Sequence, residues 1–440
     1  MSGPFLRHLT AAIDEMTIAH HLGRVSALGQ GGIAVSGLAR VAALGDRVEI
    51  TCRKGHVLPG EIRGIGAGEV TVLADGPLTG IALADEVRLL GEARIAPDDG
   101  WLGRVIDPMG RPMDGRPLRR GPEPRRVESP PPAPARRKSL GPRLETGLCA
   151  FNTMLPLVRG QRVGLFAGSG VGKSSLISGM ARGVAADVVV LALIGERGRE
   201  LRHFVQDVLG PEGMARTVVV AATSDQSPLT RRRCAWTAMS VAEHFRNRGR
   251  HVLLLADSVT RFAEAHREVA LALGEPPTLG GYPPSLAHAI MTLAERAGPG
   301  EEGQGDITAV FSVLVAGSDM DGPVADILRG VLDGHVVLER DIAERGRFPA
   351  INLLKSVSRS LPDAASPEEN AVLQEAREML GVYDRAELMI QSGLYTAGSS
   401  PQIDRAITLF PRLDAFISEP EPGTIGDSFQ RLRQCLGKPG

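Results

Sequence analysis

A glycine-rich turn between an apolar run and a predicted helix is the feature that most constrains this chain of 440 residues. The turn reads Ala167-Gly168-Ser169-Gly170-Val171-Gly172-Lys173-Ser174, directly follows the apolar run 163–166, and leads into a predicted helix that begins near Ser174-Ser175-Leu176. Backbone N–H groups of such a turn converge on one point, where the helix N-terminus adds positive potential. The turn therefore predicts a binding site for a polyphosphate.

The last side chains of the turn suit a nucleotide that binds together with magnesium. Lys173 is expected to reach the outer phosphates, and the Ser174 hydroxyl to hold a Mg²⁺ ion that bridges two of them. Ala167 departs from the pattern G-x-x-x-x-G-K-[ST], which begins with glycine, but alanine still allows a close approach if its φ is negative. The alternative interpretation is a strand–helix turn that holds no ligand.

Composition excludes several other classes of protein. Hydrophobic residues make up 43% and charged residues 23%, which is an ordinary balance for a globular protein. No run approaches the roughly 20 apolar residues that span a bilayer, and the N-terminus lacks the apolar segment of a signal peptide. The four cysteines form no C-x-x-C pair, which argues against a zinc site or a disulfide framework. Few and separated cysteines are typical of a reducing compartment, so we expect a cytoplasmic protein. A net charge of −1 gives no field that attracts nucleic acid, so we expect no nucleic-acid partner.

The N-terminal region changes its periodicity near residue 24. Residues 5–17 carry apolar side chains at helical spacing, at Leu6, Leu9, Ile13 and Met16, and predict an amphipathic helix that either caps the next domain or docks a partner. Residues 24–90 alternate with period two between glycines and prolines, as in a small antiparallel barrel. Phe5 is the only aromatic residue before Trp101, which argues against a barrel that stacks nucleic-acid bases.

The rest of the chain reads as a connector, an α/β domain and a helical domain. A proline-rich connector containing Arg136-Arg137-Lys138 is predicted to be extended and solvated. Five nearly continuous apolar runs alternate with helical stretches and predict a parallel sheet buried on both faces; they are 163–167, 188–194, 218–222, 252–256 and 307–316. Beyond residue 362 the pattern is helical. The expected domains are residues 1–93 (short helix plus β-barrel), 94–362 (nucleotide-binding domain) and 363–440 (C-terminal helices).

Two carboxylates at the ends of apolar runs are candidates for hydrolytic chemistry. Asp257 ends the run 252–256, where a magnesium ligand beside a phosphate-binding turn belongs; alternatively it caps the turn into Ser258. Glu196 follows the run 188–194 and is positioned to orient and polarise a water molecule near the γ-phosphate. Arg197 could pair with Glu196 or contact the charge that develops during hydrolysis.

Taken together, these motifs resemble a known family. Gly-Glu-Arg-Gly-Arg-Glu around Glu196, the turn ending Gly-Val-Gly-Lys-Ser, and Asp-Ser-Val-Thr-Arg-Phe-Ala from Asp257 resemble catalytic subunits of rotary ATPases, and more closely the ATPases of flagellar and type III protein export. Further matching segments are Thr223-Ser224-Asp225-Gln226-Ser227-Pro228, Gly274-Glu275-Pro276-Pro277, Gly281-Tyr282-Pro283-Pro284-Ser285, Asp333-Gly334-His335-Val336-Val337-Leu338 and Phe348-Pro349-Ala350-Ile351-Asn352. The likeness covers nearly the whole chain.

The resemblance implies an N-terminal β-barrel, a RecA-like α/β P-loop domain and a C-terminal helical domain, with ATP and Mg²⁺ bound at the subunit interfaces of a ring of six. Phe348 stands where the family usually has a tyrosine that packs on adenine, and keeps the stacking face. Arg359, in Ser-Val-Ser-Arg, matches the arginine that reaches into a neighbour's site. Ser-Val-Ser-Arg is typical of the non-catalytic rotary subunit and Gly-Glu-Arg of the catalytic one, so their union in one chain predicts a homo-oligomer.

The resemblance also implies partners. The segment Asp319-Met320-Asp321-Gly322-Pro323 resembles the loop that grips a central stalk, which implies a coiled-coil stalk protein in the pore. A stator-like regulator on the N-terminal helix, export chaperones and a membrane export gate are the other expected partners, at the inner face of the cell membrane. Asn152 stands where relatives often have aspartate, and no functional consequence is attached to it.

Three functions compete on these grounds. The first is an export ATPase that releases cargo from chaperones and feeds a membrane gate. The second is a rotary ATP synthase or ion-pump subunit, which the union of Glu196 with Ser-Val-Ser-Arg and the compact C-terminal region disfavour. The third is a ring-shaped RNA translocase, which the net charge and the aromatic-poor barrel disfavour. Within the first class, Gly-Ser-Gly-Val-Gly-Lys-Ser favours the flagellar branch over the injectisome branch, whose loop is richer in glycine.

Overall fold

The N-terminal region is a closed antiparallel barrel of six strands. The computed structural model describes residues 13, 19–29, 31–53, 55–315, 322–421 and 423–438. The barrel strands are β1 (Leu22–Gly29), β2 (Gly32–Ser36), β3 (Arg47–Thr51), β4 (Val57–Ile65), β5 (Glu69–Ala74) and β6 (Glu86–Gly91), joined in the order β1-β2-β5-β4-β3-β6. Val48 and Ile50 are fully buried because alternate residues of a strand point into the barrel. The predicted barrel is confirmed.

A nine-stranded sheet forms the centre of the molecule. Its strands are β8 (Arg104–Ile106), β10 (Arg162–Ala167), β11 (Val188–Glu196), β12 (Thr217–Thr223), β13 (His251–Asp257), β14 (Gly298–Pro299), β15 (Asp306–Leu314), β16 (Gly334–Leu338) and β17 (Ile351–Ser358). Their order is β17-β16-β10-β15-β13-β11-β12-β8, with β14 paired to β15, and only β14 and β17 run antiparallel to their neighbours. A separate pair joins β7 (Arg94–Ile95) to β9 (Arg125–Arg126). All five predicted apolar strands are present in the parallel part.

Helices cover both faces of this sheet. They are α1 (Cys149–Asn152), α2 (Lys173–Gly183), α3 (Gly198–His203), α4 (Gly210–Ala215), α5 (Pro228–Asn247), α6 (Val259–Ala272), α7 (Ser285–Arg296), α8 (Pro323–Val331) and α9 (Arg340–Glu344). Alternate residues of β11 belong to two separate hydrophobic clusters, one shared with α2 and the C-terminal helices and the other with α5 to α8. This double burial explains why the strands are continuously apolar.

Three helices form the C-terminal region: α10 (Pro367–Gln391), α11 (Pro401–Ser418) and α12 (Ile425–Cys435). Helix α10 begins with a capping box between Ser366 and Glu369, which satisfies backbone N–H groups that the first turn leaves unpaired. The buried Asn152 of α1 donates from Nδ2 to Ser428 Oγ of α12 at 3.0 Å. The predicted helical region is confirmed, whereas the boundaries proposed at residues 93/94 and 362/363 stay predictions.

The connector is solvated over residues 133–136, as predicted, but its basic end at Arg137 and Lys138 is fastened to the central domain, which the sequence did not predict. Arg137 donates to the carbonyl oxygen of Ala297 at 3.0 Å, and its side chain is only 12% exposed. Lys138 donates to the carbonyl oxygen of Gln304 at 2.7 Å and pairs with Asp306 at 2.9 Å. Arg137 and Lys138 fasten the connector because they bind backbone carbonyl oxygens just after α7 and just before β15, where helix and strand ends leave carbonyl groups unpaired. The carboxylate of Asp306, at the start of β15, adds an ion pair to Lys138.

Two sequence predictions fall outside the described residues. They are the amphipathic helix at 5–17, of which only Ile13 is described, and the acidic part of the stalk-gripping segment at 319–321. Among the residues that the structure does describe, no helix is long and apolar enough to cross a membrane.

Candidate functional site

The glycine-rich turn links β10 to α2 as the sequence predicts. β10 ends at Ala167, whose φ is not positive, while Gly170 and Gly172 have φ of +79° and +85°, a region that favours glycine. In the hydrogen-bond network of the described residues, no protein group accepts from the backbone N–H groups of residues 168–172. Val171 is buried, and the side chains of Ser169, Ser174 and Ser175 are exposed. The turn therefore leaves a set of N–H donors available at the start of a helix.

Lys173 and Asp257 meet beside this turn. The Lys173 ammonium forms an ion pair with Asp257 Oδ1, and both side chains are largely buried. Ser312 Oγ of β15 donates to the same oxygen at 2.6 Å. Ser258, not Asp257, caps α6, since its side chain accepts from the N–H of Arg261. The capping alternative for Asp257 is therefore excluded, and its carboxylate faces the phosphate-binding turn.

Glu196 is the last residue of β11 and lies in the same cleft. The cleft has a volume of about 410 Å³ and is also lined by Ser174, Ser178 and Asp257. Burial raises the pKa of Glu196 to about 7, and the charge of Asp257 and a hydrogen bond with Glu200 act in the same direction. A carboxylate that titrates near neutral pH in a cleft is suited to accept a proton.

Arg197 turns away from its neighbour. Its side chain is 73% exposed, and Nη1 lies 3.5 Å from Glu200 Oε1 rather than on Glu196. Of the two sequence alternatives, pairing with Glu196 is not what the structure contains. The guanidinium lies exposed beside Glu200 instead.

Phe348 packs beside the phosphate-binding turn. Its side chain is 51% exposed, and a Cβ added to Gly172 would lie 3.0 Å from Cδ1 of its ring. An exposed aromatic face next to the turn is a suitable surface for a planar base.

Arg359 lies at the opposite end of the sheet. In the register of β10, β16 and β17, Ile351 is level with Ala167 through Leu338, whereas Ser358 pairs with Gly334 at the start of β16. The backbone N–H of Arg359 donates to the carbonyl oxygen of Asp333, and its Nη2 to that of Arg329 at 3.1 Å. The length of β10, about 16 Å at 3.3 Å per residue, separates this exposed arginine from the turn of its own chain.

Sequence reasoning missed two side chains at the centre. Ser312 stands inside an apolar run, and only its place in a strand next to β13 reveals its bond to Asp257. Glu200 is one helical turn from Glu196, and its hydrogen bond to Glu196 was not predicted. An i, i+4 pair of carboxylates across a strand–helix junction was the available signal.

The residues fit a magnesium-bound nucleoside triphosphate. The turn supplies amide donors and an ammonium for phosphate oxygens, and Ser174 and Asp257 supply the hard oxygen ligands that Mg²⁺ prefers. Together with the parallel sheet, this arrangement defines a RecA-like P-loop ATPase with an N-terminal barrel.

Comparisons with known proteins define the family. Residues 147–358 match the ATP synthase alpha/beta family, nucleotide-binding domain, and residues 365–434 match the T3SS EscN ATPase C-terminal domain. A flagellum-specific ATP synthase of Caulobacter vibrioides is 45% identical over 98% of this chain and 99% of its own length. A type 3 secretion system ATPase of Pseudomonas syringae is 42% identical over 95% and 94%. The chain belongs to the flagellar and type III secretion branch of the ATP synthase alpha/beta family and is an ATP-binding ATPase.

A solved structure has the same architecture. The assembled ATPase EscN, in complex with its central stalk EscO from the enteropathogenic E. coli type III secretion system, aligns with a TM-score of 0.85. The alignment covers 94% of this chain and all of that chain at 36% identity. The predicted fold class is confirmed.

Proposed function

We propose that this chain is the ATPase of a flagellar protein export apparatus, which hydrolyses MgATP at the subunit interfaces of a homohexameric ring. One observation carries the shared-interface site: a single chain has a phosphate-binding turn at one end of its sheet and the exposed Arg359 at the other. A ring that repeats this chain head to tail brings the two together between neighbours.

In this mechanism the chain's own residues hold the phosphates and move one proton. The N–H groups of residues 168–172 and the Lys173 ammonium bind phosphate oxygens, while Ser174 and Asp257 hold Mg²⁺. Bound Mg²⁺ neutralises charge on the outer phosphate oxygens. Glu196 orients the attacking water and accepts its proton. Arg359 of the adjacent subunit stabilises the charge of the transition state, and Arg197 assists.

The base of the nucleotide is bound by Phe348, which stacks on adenine beside Gly172. Ala167 and Ser175, the other predicted residues, flank the phosphate-binding turn at its start and its end. Phenylalanine offers the same face as the tyrosine usual in the family and lacks only the hydroxyl.

The partners follow from the family. EscN is described as an assembled ATPase with a central stalk, and residues 319–323 of this chain are the proposed contact with such a coiled-coil stalk in the pore. The N-terminal helix at 5–17 would bind a stator-like regulator, and the ring would receive export substrates from chaperones and deliver them to a membrane gate. In this proposal the protein works in the cytoplasm, at the inner face of the membrane.

The flagellar assignment rests on the flagellum-specific relatives that match most of the chain. An injectisome ATPase is the second candidate, favoured by the type 3 secretion relative at 42% identity. In the bacterium that encodes this chain, replacing the gene with a Lys173→Ala copy should stop motility and the appearance of flagellin in the medium. An Arg340→Ala copy, which removes an exposed cation paired with Glu344 outside the cleft, is the matched control. Normal motility together with loss of effector secretion would reject the flagellar assignment and support the injectisome.

A further inference from the structure

A small polar pocket lies where the barrel, the connector and helices α5, α6 and α7 meet. Its volume is about 270 Å³, just below the roughly 300–1,000 Å³ typical of ligand pockets. Its polar wall includes Arg63 of β4, Arg232 and Trp236 of α5, and His266 of α6. None of these residues belongs to the nucleotide site described above, and the size suits a small ion.

Arg232 brings buried donors without acceptors to this pocket. Its side chain is 5% exposed, and among the described residues its Nε and Nη2 atoms have no hydrogen-bond partner. The guanidinium stacks on the Trp236 ring, 4.8 Å from the centroid, which fixes its plane. Buried charged donors that lack an acceptor are costly, and such groups in a native protein indicate a missing partner.

The neighbouring carboxylates do not supply that partner. Glu61 Oε1 is 4.0 Å from Arg232 Nη2, and the same carboxylate already binds Arg63 and, at 2.7 Å, Arg233. Arg63 also has a buried Nε without a partner in the described part of the chain. Glu128 lines the wall but makes no hydrogen bond to these donors among the described residues. Two guanidinium groups are therefore available to one anion.

His266 supplies the pocket with a hydrogen-bond acceptor, whereas the two arginines supply donors. Ser285 Oγ donates to Glu275 Oε2 at 2.8 Å, so it accepts from His266 Nε2 at 2.8 Å. Burial lowers the pKa of His266, which leaves the ring neutral with a lone pair on Nδ1. That Nδ1 atom is buried and has no partner among the described residues. A matching ligand must accept hydrogen bonds from guanidinium groups and donate one to this nitrogen.

We propose that this pocket binds a hydrogenphosphate ion. Its oxygens accept from Arg232 and Arg63, and its P–O–H group donates to His266 Nδ1. Planar guanidinium forks match phosphate oxygens well. Sulfate has the same shape but carries no proton at neutral pH, so it cannot satisfy the imidazole. The site sits between the barrel and the nucleotide domain and is independent of the proposed function.

Trp236 allows the site to be read directly. The chain has two tryptophans, and Trp101 is buried elsewhere at 1% exposure. The full-length protein is saturated with the magnesium complex of a non-hydrolysable ATP analogue, which fills every phosphate position of the nucleotide site. It is then titrated with sodium phosphate while chloride keeps the ionic strength constant. We expect a saturable change in fluorescence that disappears in Trp236→Phe, and at least tenfold weaker binding of sulfate. His266→Leu should bring the two anions to similar affinity.

Equilibrium dialysis with labelled phosphate, with the same ATP analogue filling the nucleotide site, tests the arginines without relying on fluorescence. Arg232→Gln should lose the bound phosphate. Arg248→Gln should keep it, because Arg248 directly follows the end of the same helix, α5, but pairs with Asp99 outside the pocket. If Arg232→Gln does not fold, Arg63→Gln takes its place. The absence of saturable binding, equal affinity for sulfate, or full binding by a folded arginine variant would each overturn the proposal.

Discussion

Burial and two neighbouring carboxyl groups act on Glu196 in the same direction. The desolvated carboxylate, the charge of Asp257 and the shared hydrogen bond with Glu200 all favour the protonated form, and only Lys173 opposes them. The result is a pKa of about 7, where a base is half ionised under ordinary conditions. The same burial that tunes this group makes its charge costly to the fold.

The pH dependence of hydrolysis should report this residue. Because the base must be ionised, kcat/KM is expected to fall as the pH drops below about 7. Glu196→Gln should keep ATP binding and lose nearly all turnover, since the amide cannot accept the proton. Steady-state rates from pH 5.5 to 9 and binding of a fluorescent nucleotide analogue measure both. Unimpaired turnover per bound ATP in Glu196→Gln would show that the residue is structural.

The same pKa predicts an effect on stability. In the unfolded chain Glu196 ionises near its usual 4.5, whereas in the folded protein it holds its proton up to about 7. The folded state therefore binds more protons in this range, and its stability falls as the pH rises from 4.5 to 7. Glu196→Gln should melt at a higher temperature than the wild type at pH 8 and at a similar temperature at pH 4.5. Equal melting temperatures at pH 8 would contradict the assigned pKa.

Lys173 and Asp257 form a pair whose loss can be separated from loss of activity. Either single alanine variant should abolish Mg²⁺-dependent hydrolysis and leave one buried charge unpaired, at a cost of about 3–5 kcal/mol. The double variant removes both charges and should melt closer to the wild type while remaining inactive. Thermal unfolding and ATPase assays of the three variants test this, with Arg340→Ala, which removes an exposed cation paired with Glu344, as control. Near-normal turnover by a folded Lys173→Ala protein would refute the site.

At the scale of elements, buried polar contacts hold the C-terminal helices to the central domain. Asn152 Oδ1 accepts from the N–H and hydroxyl groups of Thr146 at 3.0 and 2.8 Å, while its Nδ2 donates to Ser428. Aspartate can replace it, because the Ser428 hydroxyl can turn and donate to a carboxylate.

The stability of Asn152 variants should therefore depend on whether the new side chain can accept the hydrogen bonds from Thr146. Asn152→Ala leaves the buried Thr146 N–H without an acceptor and takes one hydrogen bond each from the Thr146 and Ser428 hydroxyls. It is expected to reduce the free energy of unfolding by about 1–3 kcal/mol. Asn152→Asp should cost less, and Ser428→Ala in the Asp background should remove the difference. Urea unfolding monitored by circular dichroism measures each step. An Asp variant as unstable as the Ala variant would contradict the proposed turn of the hydroxyl.

The elements that the sequence predicted are those that repeat one pattern over many residues. Five buried strands and the barrel could be predicted because their burial imposes continuous or alternating hydrophobicity. The short strand β8 and the edge strand β17 could not, since three residues carry no period and β17 mixes exposed Lys355 with buried Ser356. The fastened end of the connector could not be predicted for another reason: Arg137 and Lys138 look solvated until their carbonyl partners, about 160 residues away, are known.

At the scale of the whole molecule, strand order decides which residues can share a site. Glu196 and Asp257 end β11 and β13, and Lys173 follows β10 after the glycine-rich turn. Parallel strands bring their carboxyl ends to one edge of the sheet. The sequence predicted this cluster because an apolar run precedes each carboxylate and also precedes the turn that carries Lys173. It could not place Arg359, since the antiparallel turn into β17 carries that residue back to the opposite edge. Only an adjacent subunit can return it to a phosphate-binding turn.

Arg359 thus tests the oligomer and the mechanism together. Arg359→Ala should leave ATP affinity largely intact and reduce the rate by about 10³–10⁵, the usual effect of an arginine supplied across an interface. Mixing Arg359→Ala with Glu196→Gln subunits should restore part of the activity, because some interfaces then pair an intact Glu196 with an intact Arg359. Arg340→Ala, an exposed residue paired with Glu344, is the control.

The assembly itself gives the second measurement for this prediction. The rate per subunit should rise with protein concentration as rings form, and light scattering on the same samples reports the rings. Mixed rings that form but stay inactive would show that Arg359 has a structural role within its own subunit and does not act in the neighbouring site. The register of β17 keeps this arginine away from its own phosphate-binding turn, so a monomer lacks an arginine at its site and should be inactive. A fully active monomer would therefore exclude a site shared between subunits.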